Sequence, residues 1–131
     1  MKALIIVRGL PGSGKTTVAE MFASKIFDTV VSADDFFYKT GEYKFDPTQL
    51  GAAHEYCRNK AAESIISGAG NVFVANTFTT ENEIQPYKEM AEQLGVPFIS
   101  LIVENRHGND SIHNVPCETV EKMKNRFTVK L

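Results

Sequence analysis

Tryptophan is absent from the chain and cysteine nearly so: Cys57 and Cys117 are the only two. Two isolated cysteines make neither a disulfide-stapled scaffold nor a thiolate metal cluster, so they read as reduced thiols in a cytoplasmic protein. The chain also lacks an excess of charge. Its 14 Lys and Arg stand against 16 Asp and Glu, a net charge of −2. That excludes a global basic footprint, and any nucleic-acid contact has to be a local cleft. No apolar run approaches the roughly 20 residues of a membrane span. The apolar start, residues 1–7, is short and runs straight into a glycine-rich turn, unlike a targeting segment. Repeats and low-complexity tracts are missing too. What is present is a hydrophobic fraction of 43% over 131 residues. That suffices for a real core and for a single domain over 1–131.

Short apolar runs alternate with amphipathic ones along the chain. "KALIIV" (Lys2 to Val7) reads as a strand buried on both faces. "KTTVAEMFASKI" reads as a helix, with Val18, Met21, Phe22 and Lys25/Ile26 recurring at steps of three and four. "DTVVSAD" (Asp28 to Asp34) is a second strand, followed by an aromatic, glycine-interrupted loop from Phe36 to Asp46. A long helix follows, with Asp46 at its cap, Pro47 in its first turn and Gly68 at its stop. "NVFVAN" (Asn71 to Asn76) is a third strand. The next helix ends at Gly95, and Pro86 inside its pattern predicts a start or a kink there. "PFISLIVE" (Pro97 to Glu104) is the fourth strand, and a last helix opens at Pro116. Such alternation is the mark of βαβ units and a parallel sheet covered on both faces.

Gly9-Leu10-Pro11-Gly12-Ser13-Gly14-Lys15-Thr16 fits the P-loop pattern G-x-x-x-x-G-K-[ST] between a buried strand and a helix. Glycines let the backbone wrap an anion, so that successive N–H groups and a helix N-terminus face the phosphates. Lys15 would reach the β- and γ-phosphates and the Thr16 hydroxyl would hold Mg²⁺. Gly9, Pro11, Gly12, Ser13, Gly14, Lys15, Thr16 and Thr17 are therefore expected against the nucleotide. No guanine-reading N-K-x-D stretch occurs, which makes ATP the expected triphosphate. The third strand ends in neutral Asn76 where a motor ATPase carries an acid. Mg²⁺ is then left to Thr16, phosphate and water.

The acids follow the second strand instead. Asp34 and Asp35 should open on the same crevice as the P-loop, because ligands of doubly wound sheets sit beyond the carboxyl ends of the strands. An acid there could take the proton of an attacking hydroxyl. It could equally cap a short helix. Adjacent side chains diverge, so the two acids are not expected to share one role.

"GLPGSGKTT", "SADDFF", "YKFDPTQLGAAHEYC", "NTFTTENEIQPY" and "HNVPCETVEKMKNRF" occur in this order. Together they resemble the small P-loop kinases related to the kinase domain of phage polynucleotide 5′-kinase, over nearly the whole chain. The resemblance implies a P-loop NTPase three-layer α/β sandwich. Its parallel sheet would have about four strands in the order 2-3-1-4, helices on both faces, and a lid before the last helix. It implies γ-phosphate transfer from ATP, with Mg²⁺, to a hydroxyl of a nucleic acid or nucleotide. Asp34 would be the general base, with Asp35 its structural partner, and Lys15 and Thr16 the phosphate and metal contacts. Phe37 stands where those kinases keep an arginine for the acceptor phosphate, and the phosphatase domain of the bifunctional form is missing. A modified base, a nucleoside or another small alcohol stays open as acceptor, as does a non-catalytic ATP-binding module.

The polar stretch from Asn105 to Asn114 is the expected lid. Arg106 within it is a candidate for charge neutralisation at the transferring phosphoryl group, and the resemblance places a lid arginine there. A second lid arginine of that family is Asp110 here. Arg126, closing the last helix, is either a second nucleotide contact or a helix-end cation. His107 and His113 read as polar lid residues, and His54 and Cys57 as helix packing. Among Phe36, Phe37, Tyr38, Tyr43 and Phe45, some belong to the core and one or two could stack on a base.

Overall fold

A computed structural model describes residues 2–38, 41–68, 70–108 and 114–131. Four parallel strands, β1 (Leu4–Arg8), β2 (Thr29–Val31), β3 (Val72–Asn76) and β4 (Phe98–Ile102), lie in the order β2-β3-β1-β4. This is the expected order. β1 is central, pairing with β3 on one side and β4 on the other, with Leu4 opposite both Val72 and Phe98.

Four α-helices complete the layers: α1 (Lys15–Phe22), α2 (Leu50–Ser67), α3 (Glu81–Leu94) and α4 (Cys117–Arg126). Alternation along the strands divides the core in two. Leu4, Ile6, Val31, Val72 and Val74 face α2 and α3, packing on Ala53, Cys57, Ala61, Ile84, Tyr87 and Ala91. Ala3, Ile5, Val7, Phe73 and Ala75 face the other way, onto Ala19 of α1. Leu4, Ile6 and Val74 are fully buried, each contributing about 1.5–3 kcal/mol of transfer free energy.

Two helix expectations are corrected. α1 ends at Phe22, not Ile26, because the Asp28 carboxylate accepts from Ser24 N–H at 2.8 Å and turns the chain early. Its buried contact is Ala19, whose small side chain lets the helix approach the sheet. Met21, Phe22 and Ile26 are exposed rather than inward. α3 begins five residues before Pro86 and runs through it. Its start is set by Glu83, whose Oε2 reaches back to Thr80 N–H at 3.0 Å. Pro86 is the sixth residue of α3, so the bond to the Asn82 carbonyl is lost, and the helix is kept by the packing of Ile84, Tyr87 and Ala91 on the sheet.

Asp46 does cap the segment before α2, accepting from Thr48 N–H at 3.0 Å, but what it caps first is a short 3₁₀ turn, Pro47–Gln49. Pro116 stands at the start of α4 as expected, directly before Cys117. Among the described residues no helix is long and apolar enough to cross a membrane.

Candidate active site

The carboxyl ends of β1, β2 and β3 deliver three loops to one rim of the sheet. From β1 comes the P-loop. Gly12 and Gly14 sit at φ 85° and 87°, where a side chain would be strained. Gly9 is needed for closeness instead: a Cβ there would come within 2.3 Å of Ser13 Oγ and 2.9 Å of the Val103 carbonyl. Ser13 N–H bonds the Leu10 carbonyl at 3.0 Å and tightens the loop. Its Oγ is buried with no partner among the described residues. Thr16 and Thr17 are exposed on the first turn of α1, Lys15 is half-buried, and Pro11 is buried beneath the loop.

From β2 comes a 3₁₀ turn, Ala33–Tyr38, that carries both acids. Ser32 and Asp35 cap it reciprocally. Ser32 Oγ accepts from Asp34 N–H at 3.2 Å, and Asp35 Oδ2 accepts from Ser32 N–H at 3.0 Å. Asp35 is thus committed to the backbone. Desolvation raises its pKa, the Ser32 bond opposes the rise, and Asp34 and Glu20 add to it.

Asp34 lies close enough to the P-loop lysine for its charge to act on it. Burial pulls the Lys15 ammonium below its usual pKa while the charge of Asp34 pushes it back up. Tyr43 Oη donates to Asp34 Oδ1 at 3.4 Å. The Tyr43 hydroxyl is pushed up to about 12, first by burial and then by Asp34, so it remains a donor at any working pH.

From β3 comes Asn76, buried, whose Oδ1 accepts from Ala33 N–H at 2.9 Å and Ser32 Oγ at 3.4 Å. Its Nδ2 points to Cys57 Sγ at 3.5 Å. A neutral amide therefore pins the acid turn to β3 and α2. The sequence marked Asn76 only as a missing acid, and gave no sign of this positioning.

Phe37 is 5% exposed, edge-on to Phe36 at 5.3 Å and Phe45 at 5.1 Å. It is core, as is the contact of Phe36 with Tyr56 of α2 at 5.9 Å. Tyr38 and Phe45 keep more exposed rings.

The two cations expected near the phosphates each have a protein partner. Arg106 is exposed and pairs with Glu104. Arg126 Nε donates to Thr79 Oγ1 at 3.0 Å, at the foot of α3. His107 instead touches the P-loop: its Nε2 lies 3.1 Å from the Gly12 carbonyl, and since a carbonyl only accepts, that nitrogen donates. Asp110 and His113 of the expected lid lie outside the described residues. His54 and Arg58 are half-buried on α2.

Arg8 was missed by reading the apolar run alone. It ends β1, directly before Gly9, and is 3% exposed. Its Nε donates to the Phe78 carbonyl at 2.9 Å and its Nη2 to the Thr128 carbonyl at 2.6 Å, and its guanidinium covers the Phe127 ring at 4.6 Å. Burial lowers its pKa, while Glu81 and Glu83 oppose that. Phe78 holds φ 47° to present that carbonyl. Arg8 thus ties the strand feeding the P-loop to the chain leaving α4.

A P-loop between β1 and α1, an acid turn beyond β2 and this strand order together decide the architecture. Residues 4–109 match the AAA domain family. The chain belongs to this family. This AAA domain has the P-loop kinase-like fold. A curated relative, human (Homo sapiens) NEDD4-binding protein 2, is 35% identical over 91 residues, which is 69% of this chain and 5% of that protein. The chain therefore spans only a small part of that relative's length.

Solved structures agree in fold. A sugar kinase from Janibacter superposes with TM-score 0.65 at 14% identity, over all of this chain and 80% of its own. A chain of the Pnkp1/Rnl/Hen1 complex gives TM-score 0.62 at 20% identity, over 99% of this chain and 40% of that one. The APS kinase CysC of Mycobacterium tuberculosis, bound to AMPPNP and APS, gives 0.56 at 13% identity, over 92% of this chain and 67% of that one.

Proposed function

We propose that this AAA domain is an ATP-dependent kinase that transfers the γ-phosphoryl group to a hydroxyl of a nucleic acid or nucleotide. The observation that supports the reading is that the P-loop beyond β1 and the acid turn beyond β2 open on one rim of the sheet, close enough for the Asp34 charge to act on Lys15. Of the two acids, Asp35 is occupied by the cap, which leaves Asp34 as the candidate for the proton.

In this reading the P-loop N–H groups and Lys15 hold the β- and γ-phosphates. The cradle fits such a group: Gly9 leaves no room for a side chain, and the buried Ser13 Oγ has no partner among the described residues. Thr16, exposed at the first turn of α1, is the side chain that would hold Mg²⁺, which when bound neutralises charge on the β- and γ-oxygens. No group of three or more His, Cys, Asp or Glu among the described residues could hold a metal by itself. The ion therefore arrives with the nucleotide.

Asp34 accepts the proton of the acceptor hydroxyl as that oxygen bonds to the γ-phosphorus. The bond from γ-phosphorus to the β–γ bridging oxygen breaks, and ADP leaves. Arg106 and Arg126 are the candidate cations for the transferring group, and each would first have to leave Glu104 or Thr79. The nucleic-acid or nucleotide acceptor is the one that the resemblance to polynucleotide 5′-kinase favours.

Asp34→Asn tests the reading. With ATP, Mg²⁺ and hydroxyl-bearing oligonucleotides or nucleosides, it should lower transfer by about 10²–10⁴-fold. Nucleotide affinity, measured by calorimetry with AMPPNP, should stay near wild type. Unchanged turnover would remove Asp34 from the mechanism. Lys15→Ala should instead abolish nucleotide binding itself.

A further inference from the structure

The chain leaving β4 stays against the P-loop. Val103 N–H bonds the Arg8 carbonyl at 2.8 Å, and the Val103 carbonyl lies where a Cβ on Gly9 would come within 2.9 Å of it. Residues 105–108 then close a tight turn. Asn105 Oδ1 accepts from Gly108 N–H at 3.1 Å, and Gly108 takes φ 73°. The turn places His107 at the other end of the loop, where its Nε2 donates to the Gly12 carbonyl at 3.1 Å. One segment thus meets the P-loop at its base, Gly9, and at its tip, Gly12. Among the described residues His107 is the only side chain from outside the loop that hydrogen-bonds the loop backbone.

The contact bears on the cradle through the peptide it grips. No peptide bond among the described residues is cis, and in a planar trans peptide the C=O and N–H point opposite ways. With the Gly12 carbonyl held by His107, the Ser13 N–H is turned the other way, across the loop, where it meets the Leu10 carbonyl at 3.0 Å. Gly12 is the residue best able to let this peptide turn over, since glycine populates both signs of φ. The Ser13 side chain does not prevent it, because its Oγ has no partner among the described residues. A loop without the His107 bond would spend part of its time with the Ser13 N–H turned out of the cradle. Apparent affinity falls by the fraction of time a site is not competent.

We propose that His107 is a positioning residue of the nucleotide site: its Nε2–H holds the Gly12 carbonyl and so keeps the Ser13 N–H directed into the cradle before a polyphosphate arrives. The inference rests on the P-loop as the ATP site and adds to it a residue that acts through the loop rather than on the nucleotide. The neutral Nε2–H tautomer and the imidazolium both donate at this place, whereas the Nδ1–H tautomer has no proton there.

Calorimetry with AMPPNP and Mg²⁺ tests the role. His107→Phe keeps a ring and removes the donor, and it should weaken binding about three- to tenfold. His107→Gln keeps a side-chain N–H of similar reach, and it should bind within about twofold of the wild type. His107 is exposed, so neither variant disturbs the core. In alkaline solution, where the imidazole is neutral, the ring nitrogen shifts of His107 in NMR should be those of the Nε2–H tautomer. Wild-type affinity in His107→Phe, a His107→Gln as weak as His107→Phe, or the Nδ1–H tautomer each overturns the role. Because affinity is read without turnover, the two readings separate. Absence of transfer in the wild type overturns the kinase reading and leaves the affinity comparison standing, whereas unaltered affinity in His107→Phe overturns the positioning role and spares the kinase reading.

Discussion

Single side chains in this fold gain their roles from what surrounds them. Asp34 and Asp35 are neighbours of the same type, yet Asp35 accepts from the Ser32 N–H and Asp34 from the Tyr43 hydroxyl. Asn76 decides where that pair sits. Asn76→Ala removes the acceptor for the buried Ala33 N–H, which should cost about 1–3 kcal/mol in urea unfolding. It should also slow transfer more than it weakens AMPPNP binding, because the acid turn shifts and the P-loop does not. The cysteines divide in the same way. Burial raises the Cys57 thiol pKa and shields it, whereas Cys117 is exposed. A thiol reagent should titrate only Cys117 in the folded protein and both cysteines after denaturation. Rapid modification of Cys57 in the native state would contradict the packing of α2.

At the level of elements, the foot of α3 anchors the end of α4. Thr79 is fully buried. Its Oγ1 donates to Glu83 and accepts from Arg126, and its carbonyl accepts from Thr128 N–H at 2.8 Å. Arg8 joins the same knot from β1 through Phe78 and Thr128. Thr79→Val keeps the shape and deletes the hydroxyl. It should cost roughly 1 kcal/mol and speed amide exchange in residues 117–126 well before it affects the strands. Equal exchange in α4 of both proteins would show that the helix is held without this knot. The first correction to α1 belongs at this scale too. A three-and-four periodicity named Met21, Phe22 and Ile26 as inward, but a local Asp28–Ser24 bond ended the helix and left them in solvent.

Across the whole molecule, stability should respond to pH through His54. Burial lowers its pKa from 6.5, with Glu83 and Asp34 opposing and Arg58 adding. The unfolded chain therefore binds this proton more readily than the folded one. The neutral histidine contributes fully above pH 6.5, and that contribution is lost as pH falls below it. Thermal melts from about pH 7.5 to 5 should show the decline, and His54→Asn should flatten it. An identical slope in the variant would assign the pH dependence to other groups. Much of the architecture was legible from residue order, because a buried parallel strand needs a continuous apolar run and a P-loop needs its glycines and lysine in consecutive places. Those requirements are local. They determined the strands, the order of elements and Lys15, Thr16 and Asp34 as candidates. Only the tertiary structure decided that Phe37 is core, that Arg8 clamps the end of α4 and that Asn76 positions the acids. The roles of Arg8 and Asn76 depend on partners 19 to 120 residues away, and sequence spacing carries no record of which distant groups will meet.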